Sequence, residues 1–198
     1  MPGDPKFKDL DNDGIITEKD RKVIGDGNPD VILGLGNNFY YKNFDFSFFF
    51  DASIGNDLLN LSRVVLEDSG RLIESADRWT QSNPSNTIPR GSWKKNSGIK
   101  YGSYINSRFV EDASYLRLQN VELGYSLPMK KWNAAYRYVK NLRLFVGAQN
   151  LFTITKYSGF DPEVSVNGGS AVAQGLDFSS YPSYLSLIHI SEPHETKA

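Results

Sequence analysis

The stretch FDFSFFFDAS, residues 44–53, alternates apolar and mostly polar side chains. One phase holds Phe44, Phe46, Phe48, Phe50 and Ala52, and the other holds mainly aspartate and serine. Because successive side chains of a β-strand point to opposite faces, this spacing predicts a strand with one oily face and one mostly polar face. A transmembrane β-strand needs only about 9–11 residues of this kind.

Three other stretches alternate in the same way, and the pattern extends over much of the chain. A tight turn at Lys42-Asn43 is expected to join the first of them to residues 44–53 as a hairpin. Leu116 and Leu118 lie out of phase with Val121, which predicts either a β-bulge or a change from membrane to loop surroundings. The predicted strands are Val31 to Tyr41, Asn120 to Leu127, and Leu142 to about Thr155.

Composition excludes several classes of protein. The formal net charge is -1, so no basic field is available for nucleic acid, and the absence of cysteine removes thiolate chemistry. Only two histidines occur, both close to the C-terminus, so imidazole-dependent catalysis is not expected. No stretch approaches the roughly 20 apolar residues of a membrane-spanning helix, and the first residues lack a signal-peptide pattern. We therefore expect no enzyme and no nucleic-acid partner.

The connections between the predicted strands differ in length, and the difference favours a barrel. Lys42-Asn43 is very short, whereas Ile54 to Ser107 and Tyr157 to Pro182 are long and rich in glycine, serine, asparagine and proline. Strand parity places the long connections at one end of the sheet, as in outer-membrane barrels. The pattern therefore predicts an all-β fold of antiparallel strands in a transmembrane barrel.

Two other classes are alternatives, and the strand alternation alone fits the first of them at least as well as it fits a barrel. One is a secreted calcium-binding β-sandwich module that binds carbohydrate, and the other is a carboxylate-dependent glycosidase, for which no convergent acid pair is readable. A barrel exposes its outward side chains to lipid, whereas a sandwich buries them against a second sheet. The side chains that distinguish these folds are Phe44, Phe46, Phe48, Leu123 and Tyr125.

Five segments of the chain carry the motifs of a known family, and they are GDPKFKDLDNDGIITEKDRKVIGDGNPD (3–30), YKNFDFSFFFDASIGND (41–57), DRWTQSNPSNTIPR (77–90), SRFVEDASYLRLQNVELGYSLP (107–128) and GAQNLFTITKYSGFDPEV (147–164). In this order they resemble segments of the SusC/RagA family of TonB-dependent transporters. The resemblance implies the C-terminal antiparallel strands of a large transmembrane barrel in the outer membrane, which imports glycans or peptides beneath a SusD-like surface lipoprotein. It also implies that the plug and the parts that contact the TonB complex lie outside this stretch, with Met1 an internal methionine.

An Asp-rich segment within residues 1–30 matches the opening of an EF-hand loop and is expected to lie outside the cell. Its pattern offers oxygens at the first, third and fifth positions, a glycine at the sixth, and Asp20 where the usual loop has glutamate. Calcium is the predicted ligand, and the alternative is an Asx-rich turn whose carboxylates are hydrated. The predicted metal ligands are Asp9, Asp11, Asp13, the Ile15 carbonyl, Thr17 and Asp20.

Substrate contacts are expected from two groups of residues. Trp79 and Trp93 lie in the long first connection, where they either stack on substrate or pack the loop itself. Asp45 and Asp51 occupy the polar phase of their strand and are expected to face the barrel lumen, although a polar lumen requires no specific role for them.

The C-terminal residues 185–198 differ from the rest of the chain. Residues 31–184 are predicted to be barrel strands with long external loops, and the resemblance ends at Tyr184, where a last strand with a closing aromatic is expected. The sequence LSLIHISEPHETKA instead resembles the conceptual translation of a sequencing adaptor, so we expect a non-native tail and a missing final strand. The alternative is a divergent native tail in which Leu185 to Ile190 pairs as a short strand.

Overall fold

The computed structural model describes residues 2–68, 71–90, 106–128, 141–164 and 174–194. The chain forms two compact units, each built from several separate stretches. One unit comprises residues 1–28, 56–112 and 157–181, and the other comprises residues 29–55, 113–156 and 182–198. The elements are β1 (Val31–Tyr41), β2 (Phe44–Ile54), β3 (Asp57–Asn60), α1 (Leu61–Asp68), β4 (Val110–Asp112), β5 (Tyr115–Leu127), β6 (Asn141–Thr155), β7 (Leu176–Asp177) and β8 (Ser186–His194).

The second unit is a five-stranded sheet with the order β1-β2-β5-β6-β8. All of its neighbouring strands are antiparallel. The predicted turn at Lys42-Asn43 is confirmed, since Tyr41 pairs with Phe44 across it and Lys42 has a φ of 54°. This turn is fastened to the next strand by an Asn43 Nδ2 hydrogen bond to the Ser126 carbonyl at 2.7 Å.

A β-bulge explains the break of phase between Leu118 and Val121. Leu118 pairs with Phe50 and Asn120 pairs with Phe49, so Gln119 is an extra residue in β5. In a regular strand, residues three positions apart, such as Leu118 and Val121, face opposite sides. A bulge residue between them brings both side chains to the same side. The two leucines and Val121 thus share one face, which confirms the bulge among the two alternatives.

That shared face is apolar across β1, β2, β5 and β6, and much of it is exposed. Aromatic rings run along it in contact, with centroids 5.9 Å apart for Phe46 and Phe48 and 5.6 Å apart for Phe48 and Phe50. Phe44 is 50% exposed, Phe46 37% and Leu123 45%. These side chains are not covered by a facing sheet, so the β-sandwich alternative is wrong.

The first unit contains a three-stranded sheet with β3 at its centre. β4 pairs antiparallel with β3, and β7 pairs with it in parallel, Leu59 opposite Leu176. Its core includes Leu58, Phe109 and Tyr157, all of which are buried. The sequence patterns did not predict these short strands or α1, because elements of two to eight residues carry too little periodicity to register.

Among the described residues, no helix has the length and apolarity needed to cross a membrane.

The C-terminal segment pairs with the sheet. β8 lies antiparallel to β6, with Leu187 opposite Ala148, which is the pairing that the native-tail alternative allows. Strand pairing does not report the origin of a segment, so the non-native tail stays a prediction.

Candidate functional site

The polar face of the five-stranded sheet carries a charged cluster centred on Arg143. Its guanidinium contacts Asp45 of β2, with Nε 3.2 Å from Oδ1, and also contacts the Glu122 carboxylate of β5. Arg143 reaches Asp45 across Gly124, which pairs with Asp45 in β5. A Cβ on Gly124 would overlap both partners, so the glycine leaves the space that the ion pair occupies.

This cluster is only partly shielded from water. The side chains of Arg143, Asp45 and Glu122 are 34%, 23% and 38% exposed. One guanidinium against two carboxylates leaves one excess negative charge, so the cluster presents a net anionic surface. Asp45 is therefore held in a fixed position on the polar face, as expected from its strand phase.

A second charged position lies further along the same face. Asp51 of β2 lies opposite Arg117 of β5 in the strand register, and Arg117 is 3% exposed. The guanidinium of Arg117 donates to Thr153 Oγ1 at 3.0 Å and to Ser183 Oγ at 3.5 Å. Asp51 Oδ1 is buried and accepts no hydrogen bond within the described residues. Asp51 Oδ1 thus keeps unused acceptor capacity, although neighbouring atoms cover it.

The Asp-rich loop brings three of its predicted ligands together. Carboxylate oxygens of Asp9, Asp11 and Asp13 all lie within 4.8 Å of one another. Two ligands on opposite sides of one calcium ion would be about 4.6–5.2 Å apart, since each Ca–O distance is about 2.3–2.6 Å. Asp9 also accepts hydrogen bonds from the amides of Asn12 at 2.7 Å and Gly14 at 2.8 Å, which curls the loop around its carboxylate.

Asp20 and Thr17 close this loop through the backbone. Asp20 accepts from the Leu10 and Thr17 amides, each at 2.7 Å, and Thr17 Oγ1 caps the following 3₁₀ turn by accepting from Lys19. The hydrogen bonds from Thr17 and Leu10 hold the pKa of Asp20 below its usual value. In this arrangement both residues fix the shape of the loop, and the three other aspartates supply the converging oxygens.

The predicted tryptophans have different outcomes. Trp79 is half-buried and packs against Gly3, where a Cβ would overlap its ring. Its amide donates to the Ile88 carbonyl at 3.0 Å, so Trp79 packs the loop itself, which is the alternative that the sequence left open. Trp93 lies outside the described residues.

A polar network in the first unit was not predicted. Glu111 of β4 binds Arg63 Nη1 at 2.9 Å and accepts from the Ser158 amide and hydroxyl, each at 2.9 Å. Burial opposes the charge on Glu111, but the hydrogen bonds from Ser158 and Arg63 together outweigh it and lower the pKa of the carboxyl. The partners lie 47 and 48 residues away in sequence, so no local pattern could have shown the network.

A buried tyrosine lies beside this network. The Tyr157 hydroxyl donates to Asp177 Oδ2 at 2.6 Å, and both residues are buried. Burial, together with the nearby carboxylate, raises the pKa of Tyr157, so the phenol stays protonated. This hydrogen bond connects β7 with the segment that follows β6.

Comparison with known proteins identifies relatives along most of the chain. TonB-dependent receptor P3 of Formosa agariphila is 39% identical over 188 residues, which are 91% of this chain and 18% of the relative. TonB-dependent receptor SusC of Bacteroides thetaiotaomicron is 32% identical over 191 residues, which are 94% of this chain and 17% of the relative. No family model matches the chain.

Solved structures agree with these relatives. The RagAB peptide importer in its closed-closed state superposes with a TM-score of 0.63 at 25% identity, covering 86% of this chain and 18% of that one. An exposed apolar face opposite a charged face, on a sheet with this likeness, defines a segment of an outer-membrane β-barrel receptor. These likenesses support a TonB-dependent receptor of the SusC/RagA type along this stretch, and receptors of that type are outer-membrane proteins. It spans 18% of the length of the Formosa relative.

Proposed function

We propose that this chain is part of a transporter that imports glycans or peptides through the outer membrane. The observation that carries the proposal is the two-faced sheet: aromatic and aliphatic side chains on one face suit contact with lipid, while the other face holds charged groups. The family relationship supports import, and the related RagAB structure is described as a peptide importer. The polar face would then line the path that the substrate takes.

The proposed partners follow from the family. A SusD-like surface lipoprotein would act above the external loops, and the TonB complex would drive the cycle through parts of the receptor outside this stretch. Support comes from the names of the relatives, which are TonB-dependent receptors including SusC.

We assign Asp51 a direct role on the path, since it lies half-buried on the polar face of the sheet, opposite Arg117 in the strand register. The test replaces Asp51 with Asn in the receptor as it occurs in its own cells. Uptake of a defined mixture of oligosaccharides or peptides as sole carbon source should fall, while the amount of receptor in the outer membrane stays constant. Gln149→Ala is the matched control, because Gln149 is an exposed residue on the same polar face.

Two outcomes would count against this assignment. Unchanged uptake by Asp51→Asn would remove Asp51 from the path. Unchanged growth of cells that lack the receptor, on every mixture that supports the parent cells, would remove the import function itself.

We also propose that the Asp-rich loop binds calcium, which is a second function supported by the geometry of the loop itself. The converging oxygens of Asp9, Asp11 and Asp13 fit a hard divalent cation. The Ile15 carbonyl is a further proposed ligand, whereas Thr17 and Asp20 would have to exchange their hydrogen bonds to the backbone for the ion in order to join the set. Binding would offset the repulsion among the carboxylates and hold the loop in one shape.

Calorimetric titration of the purified receptor with calcium chloride tests this second proposal. We expect a binding heat that Asp11→Asn abolishes and that Asp26→Asn, an exposed acidic control outside the cluster, leaves intact. Thermolysin cleavage within residues 10–16 should also slow when calcium replaces a chelator. No heat, or the same heat from the Asp11→Asn variant, would show that the loop is a hydrated turn.

A further inference from the structure

The turn between β1 and β2 lies at one end of the large sheet and is fixed to the neighbouring strand β5. The Asn43 carbonyl accepts from the Ser126 amide at 2.8 Å, and the Asn43 side chain donates to the Ser126 carbonyl. Lys42 lies at the tip of this turn, where it is exposed. The two hydrogen bonds therefore hold the backbone of Lys42 in one position relative to the end of the sheet.

A row of aromatic side chains borders this turn on the apolar face of the sheet. In the strand register Tyr41 lies opposite Phe44, and Phe44 lies opposite Tyr125. The rings of Phe44 and Tyr125 are in contact, with their centroids 4.6 Å apart. Tyr41 is 70% exposed. The row therefore presents rings outward, on the same side as the apolar face that suits contact with lipid.

The polarity of the apolar face changes between this row and the next one along the strands. The next row contains Phe39, Phe46 and Leu123, whose side chains have no polar atom. The row beside the turn instead contains the two phenol hydroxyls of Tyr41 and Tyr125. Amphipathic rings favour the boundary between hydrocarbon and lipid headgroups. The change of polarity therefore indicates that the headgroups of one leaflet lie level with the row beside the turn.

Lys42 brings a positive charge to this level. Its Nζ lies 5.2 Å from the centroid of the Tyr41 ring, so the ammonium group lies beside the outward-facing row. Among the described residues Lys42 forms no salt bridge. The nearest acidic residue in the sequence, Asp45, lies on the polar face and is bound by Arg143. The charge of Lys42 is therefore available to an anionic group outside the protein.

The connection between β5 and β6 belongs to the same end of the sheet. Its two ends are neighbours, because Leu127 pairs with Leu142. Residues 128–140 contain no acidic residue and four basic ones, which are Lys130, Lys131, Arg137 and Lys140. Short connections of outer-membrane barrels lie on the periplasmic side. The sequence therefore gives the periplasmic connections of this stretch a positive charge, to which anionic headgroups are attracted.

We propose that Lys42, with the row of Tyr41, Phe44 and Tyr125, binds the headgroup of an anionic phospholipid in the periplasmic leaflet. The ammonium group would pair with the lipid phosphate while the rings contact the glycerol and the first acyl carbons. A zwitterionic lipid would bind less well, because its own ammonium group would meet the basic connections. This inference goes beyond the import function and depends only on the position of the sheet in the membrane.

Photo-crosslinking of the full-length receptor in lipid nanodiscs tests the proposal. The probes are phosphatidylglycerol and phosphatidylcholine with the same acyl chains, each carrying a photoreactive group next to the phosphate. Phosphatidylglycerol should label peptic peptides within residues 36–46 more strongly than phosphatidylcholine does. Lys42→Gln should lower the labelling by phosphatidylglycerol about fivefold, which is the effect of one basic residue near an anionic surface.

Three controls accompany this measurement. Lys42→Arg keeps the charge and should keep the labelling of the turn. Lys156→Gln removes an exposed lysine that follows the opposite end of β6, and it should leave labelling within residues 36–46 unchanged. The folded band of each variant on unheated gels shows that the barrel is intact.

Four results would overturn the proposal. Equal labelling by the two probes would show contact with lipid but no recognition of its charge, and unchanged labelling of Lys42→Gln would remove Lys42 from the site. Competition by soluble glycerol phosphate would show that the turn binds free phosphate and not a membrane lipid. A turn that neither probe labels would lie outside the headgroup layer. None of these results bears on import, which the growth test of receptor-deficient cells reports separately.

Discussion

Replacing Gly124 with Ala should loosen the charged cluster on the polar face. The added methyl would overlap the Asp45 carboxylate and the Arg143 guanidinium, so at least one of them must move. Overpacking a tight site costs about 1–3 kcal/mol, and partly exposed ion pairs contribute less than about 1 kcal/mol. Because Arg143 and Glu122 are 34% and 38% exposed, we expect a local destabilisation of about 1–2 kcal/mol.

Hydrogen exchange of the purified receptor in detergent measures this change. Peptides covering residues 120–127 should exchange about 5 to 30 times faster in the Gly124→Ala variant. Gly147→Ala is the matched control, since Gly147 faces the same side in the neighbouring strand and its added Cβ would lie 3.5 Å from the nearest atom. That control should change the free energy of local opening by no more than about 0.5 kcal/mol.

A double-mutant cycle separates the ion cluster from simple crowding. In an Asp45→Asn/Arg143→Met background the cluster is absent, so the Gly124→Ala effect should fall by about half or more. Equal effects in both backgrounds, or equal effects of Gly124→Ala and Gly147→Ala, would refute the reasoning.

Three further predictions concern other parts of the chain. The pKa of Glu111 is lowered in the folded protein, so the ionised carboxylate stabilises the fold fully above its ordinary pKa of 4.5 and this stabilisation is lost as the pH falls further. In the Glu111→Gln variant, hydrogen exchange around Ser158 should no longer depend on acid. Continued acid sensitivity would contradict this. Tyr157→Phe leaves the buried Asp177 carboxylate short of a donor, at about 1–3 kcal/mol, and limited proteolysis should then cleave residues 176–181 faster. Deleting Gln119 removes the bulge but leaves Leu118 and Val121 two positions apart, on one face of a regular strand; the receptor should therefore still resist unfolding on unheated gels, and loss of the folded band would show that the bulge itself is needed.

The strands of the large sheet could be predicted closely because their pattern is local. The predicted range Val31 to Tyr41 equals β1, and the range from Phe44 ends one residue before β2 does. The regular alternation predicted for β5 begins at Asn120, five residues after the strand itself begins at Tyr115, because the first part of β5 is out of phase with the rest until the bulge is known. The alternation of side chains shows which residues share a face of a regular strand, but an inserted residue interrupts the alternation, so the two parts do not read as one strand.

The interactions on these faces could be predicted only in part. Asp45 and Asp51 were placed on the polar face from their phase, yet the partnership of Asp45 with Arg143 depends on strand register across 98 residues of sequence. Gly124, which leaves the space for the contact between Asp45 and Arg143, cannot be recognised in the sequence until the strand register is known. Short strands β3, β4 and β7 depend on contacts between distant segments, so local propensity did not reveal them.

The pairing of β7 with β3 has an evolutionary consequence. Leu59 and Leu176 come from two different long connections, yet they lie side by side in one small sheet. Arg63, Glu111 and Ser158 bind across the same two connections. The two connections are therefore coupled through shared contacts, and an exchange of only one of them between related receptors would leave strand edges and charges unmatched. New specificities in this lineage should arise by joint replacement of both connections or by point changes on their exposed surface.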